Sequence, residues 1–294
     1  MAIISTYCKK GGVGKTTFIG YLAHYLTEVK NKTVLIISVD DQNSIFTLFG
    51  KQNLVTASND DYLEHLMVGL RTYEEVLHEV RDNLYLIKTL NTDALSTKLI
   101  IDRSSEKTLL EIIDTYNEAF DYVLLDFPPS SCRATEVLLD YSDRIMLIIS
   151  LDSLGIDGFI NTIQFFVDQD IPISKIQYIL PNKFIANRRA PKKSLETLRA
   201  QAEEFSKTME LDALILPYFS EKSTVQNIQE QGKTPFDKDE LFTYRYDFNE
   251  MLKVREELLG VFKAVDEYEE ELANRAKKEK EKEKPGFQLK KKKK

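Results

Sequence analysis

The residues best suited to chemistry lie within the first twenty positions. The run "YCKKGGVGKTTFI", residues 7–19, has the side chains and spacing that a bound phosphate needs. Gly11, Gly12 and Gly14 let the backbone approach an anion closely. Lys15 puts a cation at the β- and γ-phosphates of a nucleotide, Thr16 offers a hydroxyl ligand for Mg²⁺, and Thr17 can hydrogen-bond the α-phosphate. The pattern G-x-x-x-x-G-K-[ST] is met only at its closing end, because Lys9 occupies the opening glycine position and Lys10 follows it. A loop that already has its phosphate-gripping lysine therefore carries a further cation five residues upstream. A nucleotide-borne metal also needs an acidic partner. "YVLLDFPPS" supplies one, since its apolar residues end in Asp126, where the carboxyl edge of an open α/β sheet binds ligands.

These groups can meet only if regular elements carry them. "AIISTY" reads as a buried strand, and "TTFIGYLAHYLTEV" as an amphipathic helix with Phe18, Tyr21, Leu22, Tyr25 and Leu26 on one face. A strand, a glycine-rich turn and a helix N-terminus aim several backbone N–H groups at one point, where the helix dipole adds roughly half a positive charge. Further strands are expected at "KTVLIISVD", "NLYLIKT", "YVLLDFP", "RIMLIIS", "IQYILPN" and "DALILP". Helices are expected near 104–118, 132–141, 156–168, 193–207 and 247–280. This alternation predicts an α/β fold, a doubly wound, mostly parallel sheet with helices on both faces and right-handed crossovers. Segment 51–82 is expected to form small helices inserted between two strands. No internal repeat or break precedes about residue 270. The expectation is one domain over 1–270 and a charged, lysine-rich tail over 271–294, first the end of a helix and then disordered.

Composition narrows the class. The chain has 294 residues, 43% hydrophobic and 30% charged, ordinary for a soluble globular protein. No run approaches the roughly 18 apolar residues of a membrane span. The start passes from "MA" straight into a strand, so no signal peptide is expected. Cys8 and Cys132, without a C-x-x-C, speak against a disulfide scaffold or zinc site and fit core positions in a reducing cytosol. The net charge of −7 is unevenly spread: residues 274–294 hold eleven Lys and Arg against three Glu, which leaves −15 on the rest.

The motifs together resemble a known family. "KGGVGKTT" resembles the deviant Walker A motif of the ParA/MinD family of P-loop ATPases, "VLIISVDDQNS" its A′ motif, and "YVLLDFPPS" its Walker B motif. The similarity extends over roughly residues 2–260, and "ILPYF…GKTPF" is closer to ParA partition proteins than to MinD. The resemblance implies an Mg²⁺-dependent ATPase that forms a homodimer on ATP. It assigns nucleotide contacts to Lys10, Gly11, Gly12, Val13, Gly14, Lys15, Thr16 and Thr17, and the Mg²⁺ to Thr16 and Asp126. Lys10 becomes the signature lysine, which crosses the dimer to the phosphates of the opposite subunit. Arginine fingers acting in the same way contribute about 10³–10⁵ in rate. Lys9 has no such role and reads as surface. Asp40 is implied to orient the attacking water. The family's first aspartate is here Ser38 and its proline is Asp41, while Gln42 is retained; the change at Ser38 bears on basal hydrolysis, and Asp41 reads as a bystander. Asn182 and Pro217 match the adenine pocket, although either also reads as a plain turn former. Asp152 matches a cross-dimer or ribose contact.

By the same resemblance the protein is expected to be a cytoplasmic, nucleoid-associated partition ATPase. It would bind DNA non-specifically as the ATP dimer and be released when a ParB-like adaptor or centromere-binding protein stimulates hydrolysis. "NKFIANRRAPKK" provides Arg188, Arg189, Lys192 and Lys193 as DNA-binding candidates, with Lys222 and Lys233 further on. No N-terminal helix-turn-helix is expected, so no operator is read. The alternative is a MinD-like or other cargo-positioning ATPase acting at a membrane or on a protein assembly. The tail speaks against insertion into a membrane, since only Phe287 and Leu289 are apolar. Its lysines can still attract anionic lipid or DNA phosphates. A reductase like the nitrogenase iron protein would need cluster-bridging cysteines, and Cys132 has no second partner suitably placed.

Overall fold

The computed structural model describes residues 2–57, 59–242 and 245–282. Strand β1 (Ala2–Tyr7) is buried along its whole length, and its chain continues through the glycine loop into α1 (Lys15–Glu28). β2 (Val34–Ser38) follows, then three short helices, α2 (Ser44–Leu48), α3 (Gln52–Thr56) and α4 (Leu63–Met67). Next come β3 (His78–Arg81), β4 (Leu84–Ile87), α5 (Thr92–Ile101), α6 (Arg103–Ala119) and β5 (Tyr122–Asp126). The second half contains α7 (Arg133–Tyr141), β6 (Arg144–Ser150), α8 (Ser153–Asp168), β7 (Ile176–Asn182), α9 (Arg189–Met209) and β8 (Leu214–Ile215). α10 (Ser223–Glu230) and the long α11 (Arg245–Lys282) close the described chain. The rest of the expected tail, residues 283–294, lies outside the described residues.

Among the described residues the strands form one sheet of order β3-β4-β2-β5-β1-β6-β7-β8, parallel throughout except for β3, which runs antiparallel to β4. The expected doubly wound α/β sheet is thus present. β5 lies between β1 and β2, with Asp126 opposite Thr6 on one side and Ser38 on the other. This order brings Asp126 between the strand that leads into the glycine loop and the strand that leads to Asp40. The chain moves one way along the sheet after β1 and the other way after β5, which opens a crevice at the carboxyl ends of the strands.

Right-handed crossovers put α1 on one face and α6 to α9 on the other. α11 returns to the α1 face, where Phe262 packs on Phe18 and Tyr25 with ring centroids 5.4 and 4.6 Å apart. Covered on both sides, α1 is almost wholly buried, Ile19 and Ala23 included, rather than on one face as its periodicity predicts. Four elements differ from expectation. β3 lies in a segment expected to be helical, because "HEVR" has one buried apolar residue, Val80, and reads as polar; as an edge strand it needs no more. α2 and α10 are too short to establish a helical period and α5 has no apolar stripe, so periodicity does not reveal them.

Candidate nucleotide site

The glycine loop owes its shape to two left-handed residues, Gly12 at φ 69° and Gly14 at φ 99°. Gly14 is the N-cap of α1, and a Cβ there would lie 2.6 Å from Nδ2 of Asn182, so both conformation and space require glycine. Below this turn opens a cavity of about 700 Å³, lined by Gly11, Gly12, Gly14, Lys15, Thr16, Thr17 and Asp40 at one end. Lys183, Phe219 to Ser223 and Gln226 line the other, and Asn182 and Gln229 lie between, bonded to Val13 and Thr17.

Lys15 is buried, and its ammonium donates to the carbonyls of Cys8 at 3.3 Å and Lys10 at 3.2 Å. Burial pushes its pKa down, while Asp126 and Asp40 nearby favour the charged form. The Thr16 hydroxyl donates to Asp126 Oδ1 at 3.1 Å. Burial pushes the Asp126 carboxyl up to about 7, and the neighbouring Asp40 adds to this; Thr16 and Lys15 pull the other way. A wholly buried carboxylate beside a hydroxyl at a phosphate cradle fits a hard cation with oxygen ligands. Thr16 and Asp126 would hold Mg²⁺ there, and the ion would neutralise charge on the phosphates.

Asp40 is presented by a turn in which the Ser38 hydroxyl donates to the Asp40 carbonyl at 2.8 Å and the Gln42 N–H donates to Asp40 Oδ1 at 3.0 Å. Ser38 is fully buried, so the position of the family's first aspartate serves here to shape that turn. Asp41 is more than a bystander. Its carboxylate accepts from the N–H of Thr92 at 3.2 Å and from the Gln42 amide, which ties this turn to the start of α5.

Lys10 does not line the cavity. Its ammonium reaches the other way, to Asp152 Oδ1 at 2.7 Å and the Ser150 hydroxyl at 3.0 Å. Partial burial raises the pKa of Asp152, but hydrogen bonds from Lys10, Ser150 and the Gly155 N–H outweigh it and hold the carboxyl below its ordinary value. Lys9 is exposed as expected, with its ammonium 5.2 Å above the Phe165 ring.

The base end departs further from expectation. Asn182 is brought to the cavity, but its amide donates to the Val13 carbonyl at 2.7 Å and its oxygen accepts from the Lys183 N–H at 2.8 Å, so it braces the glycine loop. Pro217 is exposed and does not line the cavity; the wall begins two residues later at Phe219, where the chain turns back beside β7. Sequence reasoning missed Gln229 and Glu257. Gln229 donates to the Thr17 hydroxyl at 2.9 Å, and Glu257 accepts from the Ser220 N–H and from Lys222, both at 2.5 Å. Both sit among other polar residues on helices, with no local pattern to single them out.

The six DNA-binding candidates separate. Arg188, Arg189, Lys192 and Lys193 are exposed at the start of α9, and no hydrogen bond or ion pair to a described residue engages their side chains. They crowd the positive end of a 21-residue helix whose first turn has no acidic residue and whose N-cap side chain makes no capping bond, while Asp152, Asp157 and Glu221 line the same surface hollow as Arg188 and Lys193. Lys222 and Lys233 are otherwise engaged. Lys222 forms an ion pair with Glu257 inside the cavity wall, and Lys233 bonds Gln231 and the Leu241 carbonyl beneath the Phe242 ring. No helix among the described residues is long and apolar enough to cross a membrane.

Comparison with known proteins bears on the family and the fold. A model of the AAA domain family (AAA_31) matches residues 1–176. An uncharacterized protein of Methanocaldococcus jannaschii is 28% identical over 247 residues, 81% of this chain and 92% of that one. A ParA family protein of Chlamydia pneumoniae is 27% identical over 162 residues, 54% of this chain and 62% of its own length. Among solved structures, apo McdA of Cyanothece superposes with a TM-score of 0.70 at 16% identity, covering 90% of this chain and 99% of that one. A putative plasmid partition protein of Borrelia burgdorferi bound to AMPPNP does so at 0.62 and 21% identity, covering 86% and 97%.

Proposed function

Because this chain belongs to the AAA_31 family of AAA domains, and within it to the ParA/MinD group of P-loop ATPases, we propose that it is a partition ATPase. In this reading it binds ATP with Mg²⁺, pairs with a second copy, coats DNA without sequence preference, and leaves when an adaptor stimulates hydrolysis. The observation that carries the reading is the coexistence of a complete phosphate cradle with four unpaired cations at the start of α9. Lys15 and the glycine-loop amides bind the phosphates, and Thr16 and Asp126 hold the metal. Asp40, at the rim of the cavity, orients water onto the terminal phosphate. In this reading Lys10, which turns out of its own cavity to pair with Asp152, exchanges that partner for the nucleotide of the second copy, so hydrolysis depends on pairing.

DNA binding tests this reading. Pairing doubles the basic patch, and counterion release lowers log affinity with log salt at about −0.9 per phosphate neutralised. Full-length protein with ATP should bind arbitrary duplex DNA at about 50 mM salt, and protein with ADP should not. Replacing Arg188, Arg189, Lys192 and Lys193 by Ala should flatten the salt slope and leave DNA-free ATP hydrolysis unchanged, whereas Lys222→Ala should leave the slope as it is. Binding to anionic liposomes but not to DNA would replace partition with the cargo-positioning alternative.

A further inference from the structure

The contact between Gln229 and Thr17 has no counterpart in the motifs, and it determines the direction in which one hydroxyl can donate. A threonine hydroxyl has one proton and two acceptor sites. In a helix it commonly donates that proton to the carbonyl four residues back. For Thr17 that carbonyl belongs to Val13, and the Asn182 amide already donates to it at 2.7 Å. The Gln229 amide instead approaches Thr17 Oγ1 as a donor at 2.9 Å and fills an acceptor site. No described residue accepts the Thr17 proton. Thr17 and Gln229 both line the cavity, so the proton is free to point into it.

The donor is itself held in place. Gln229 Nε2 also lies 3.3 Å from the hydroxyl of the fully buried Tyr21, one turn further along α1. At the opposite end of α10, Glu257 binds Ser220 and Lys222, so the helix is fastened to α1 and to α11. We propose that Gln229 is a positioning residue for the nucleotide: by donating to Thr17 it turns the Thr17 hydroxyl proton onto a phosphate oxygen. This inference rests on the nucleotide reading of the cavity. The chain of two hydrogen bonds, amide to hydroxyl to phosphate, strengthens both members.

Substitutions of similar size but opposite polarity test it. Gln229→Leu removes the donor, and the freed hydroxyl can rotate; ATP should bind about five- to tenfold more weakly. Gln229→Glu places an acceptor at the same point, drawing the Thr17 proton away from the phosphate and adding a negative charge, so its loss should be about a hundredfold. Both losses should fall on KM rather than on kcat. In a Thr17→Val background, which binds ATP less tightly, Gln229→Leu should change the affinity by less than about twofold. Calorimetric titration of the full chain with MgATP reads the affinities and steady-state hydrolysis the KM and kcat, with thermal midpoints to show that each variant is folded and Gln229→Asn, one methylene too short, as a second donor-removing variant. Equal affinities of wild type and Gln229→Leu, or a Leu effect that persists undiminished without the Thr17 hydroxyl, would overturn the proposal. Wild-type protein that bound no ATP would overturn the nucleotide reading beneath it, an outcome distinct from either.

Discussion

The two ends of the nucleotide cavity are built on opposite principles. At the phosphate end, Gly11 to Thr17 are consecutive, and each group gains its position from a backbone turn and the first turn of α1. At the base end, Lys183 and the Phe219–Ser223 wall come from separate elements, and the wall is anchored by Glu257 on a helix that begins after it. The phosphate end needs little beyond its own sequence. The base end exists only while distant elements stay docked.

Removing a group at the phosphate end should have the largest effect. The Lys15 ammonium hydrogen-bonds only to neutral carbonyls; Lys15→Ala also removes the cation beside buried Asp126, whose carboxyl can take up a proton instead, so the fold should hold. ATP affinity should fall on the order of a thousandfold, because two charge-assisted bonds to phosphate are lost together. Calorimetry measures it, and a variant that bound ATP like wild type would remove the cradle assignment.

The docking of the segment after α10 should depend on pH. His24 on α1 is buried, its ring shares a hydrogen bond with Thr234 at 2.5 Å, and burial lowers its pKa to about 4. The unfolded chain takes up this proton near pH 6.5 and the folded chain does not, so stability is retained above that pH and lost as pH falls from about 6.5 towards 4. The loss is up to about 3 kcal/mol. Urea midpoints at pH 7 and pH 5 should therefore separate less for His24→Gln than for wild type; identical separations would show that His24 does not couple this segment to pH.

The smallest effect should belong to Glu257→Ala. Freeing Ser220 and Lys222 loosens the base wall and should weaken ATP binding about fivefold. Inorganic tripolyphosphate, which has no base, should lose less, only what the looser hold on α10 costs the Gln229–Thr17 contact. An equal loss for both ligands would mean that the wall acts on the phosphate end, and the contrast between the two ends would dissolve.

Much of this was legible in the chain. Seven of the eight strands follow from apolar runs, since a strand buried on both faces must be continuously apolar. β3 escaped because an edge strand can be polar. Lys15, Thr16 and Asp126 were readable as one site because glycine spacing and a strand-end carboxylate are local signals. Pro217 and Lys222 show the limit: the first matches a motif position and still faces away from the cavity, and the second matches a basic segment and is paired internally.

The sequence by itself determined the cradle, the alternation of strands and helices, and the charge asymmetry between body and tail. These depend on spacings of a few residues, over which backbone geometry is nearly fixed. Only the tertiary structure decided that Asp126 stands between β1 and β2, that Lys10 turns to Asp152, and which cations remain free. It also decided that Gln229 meets Thr17 across 212 positions of chain. Such contacts depend on how whole elements pack, and a lone Gln or Glu on a helix has the same local signature whether it meets solvent or a partner.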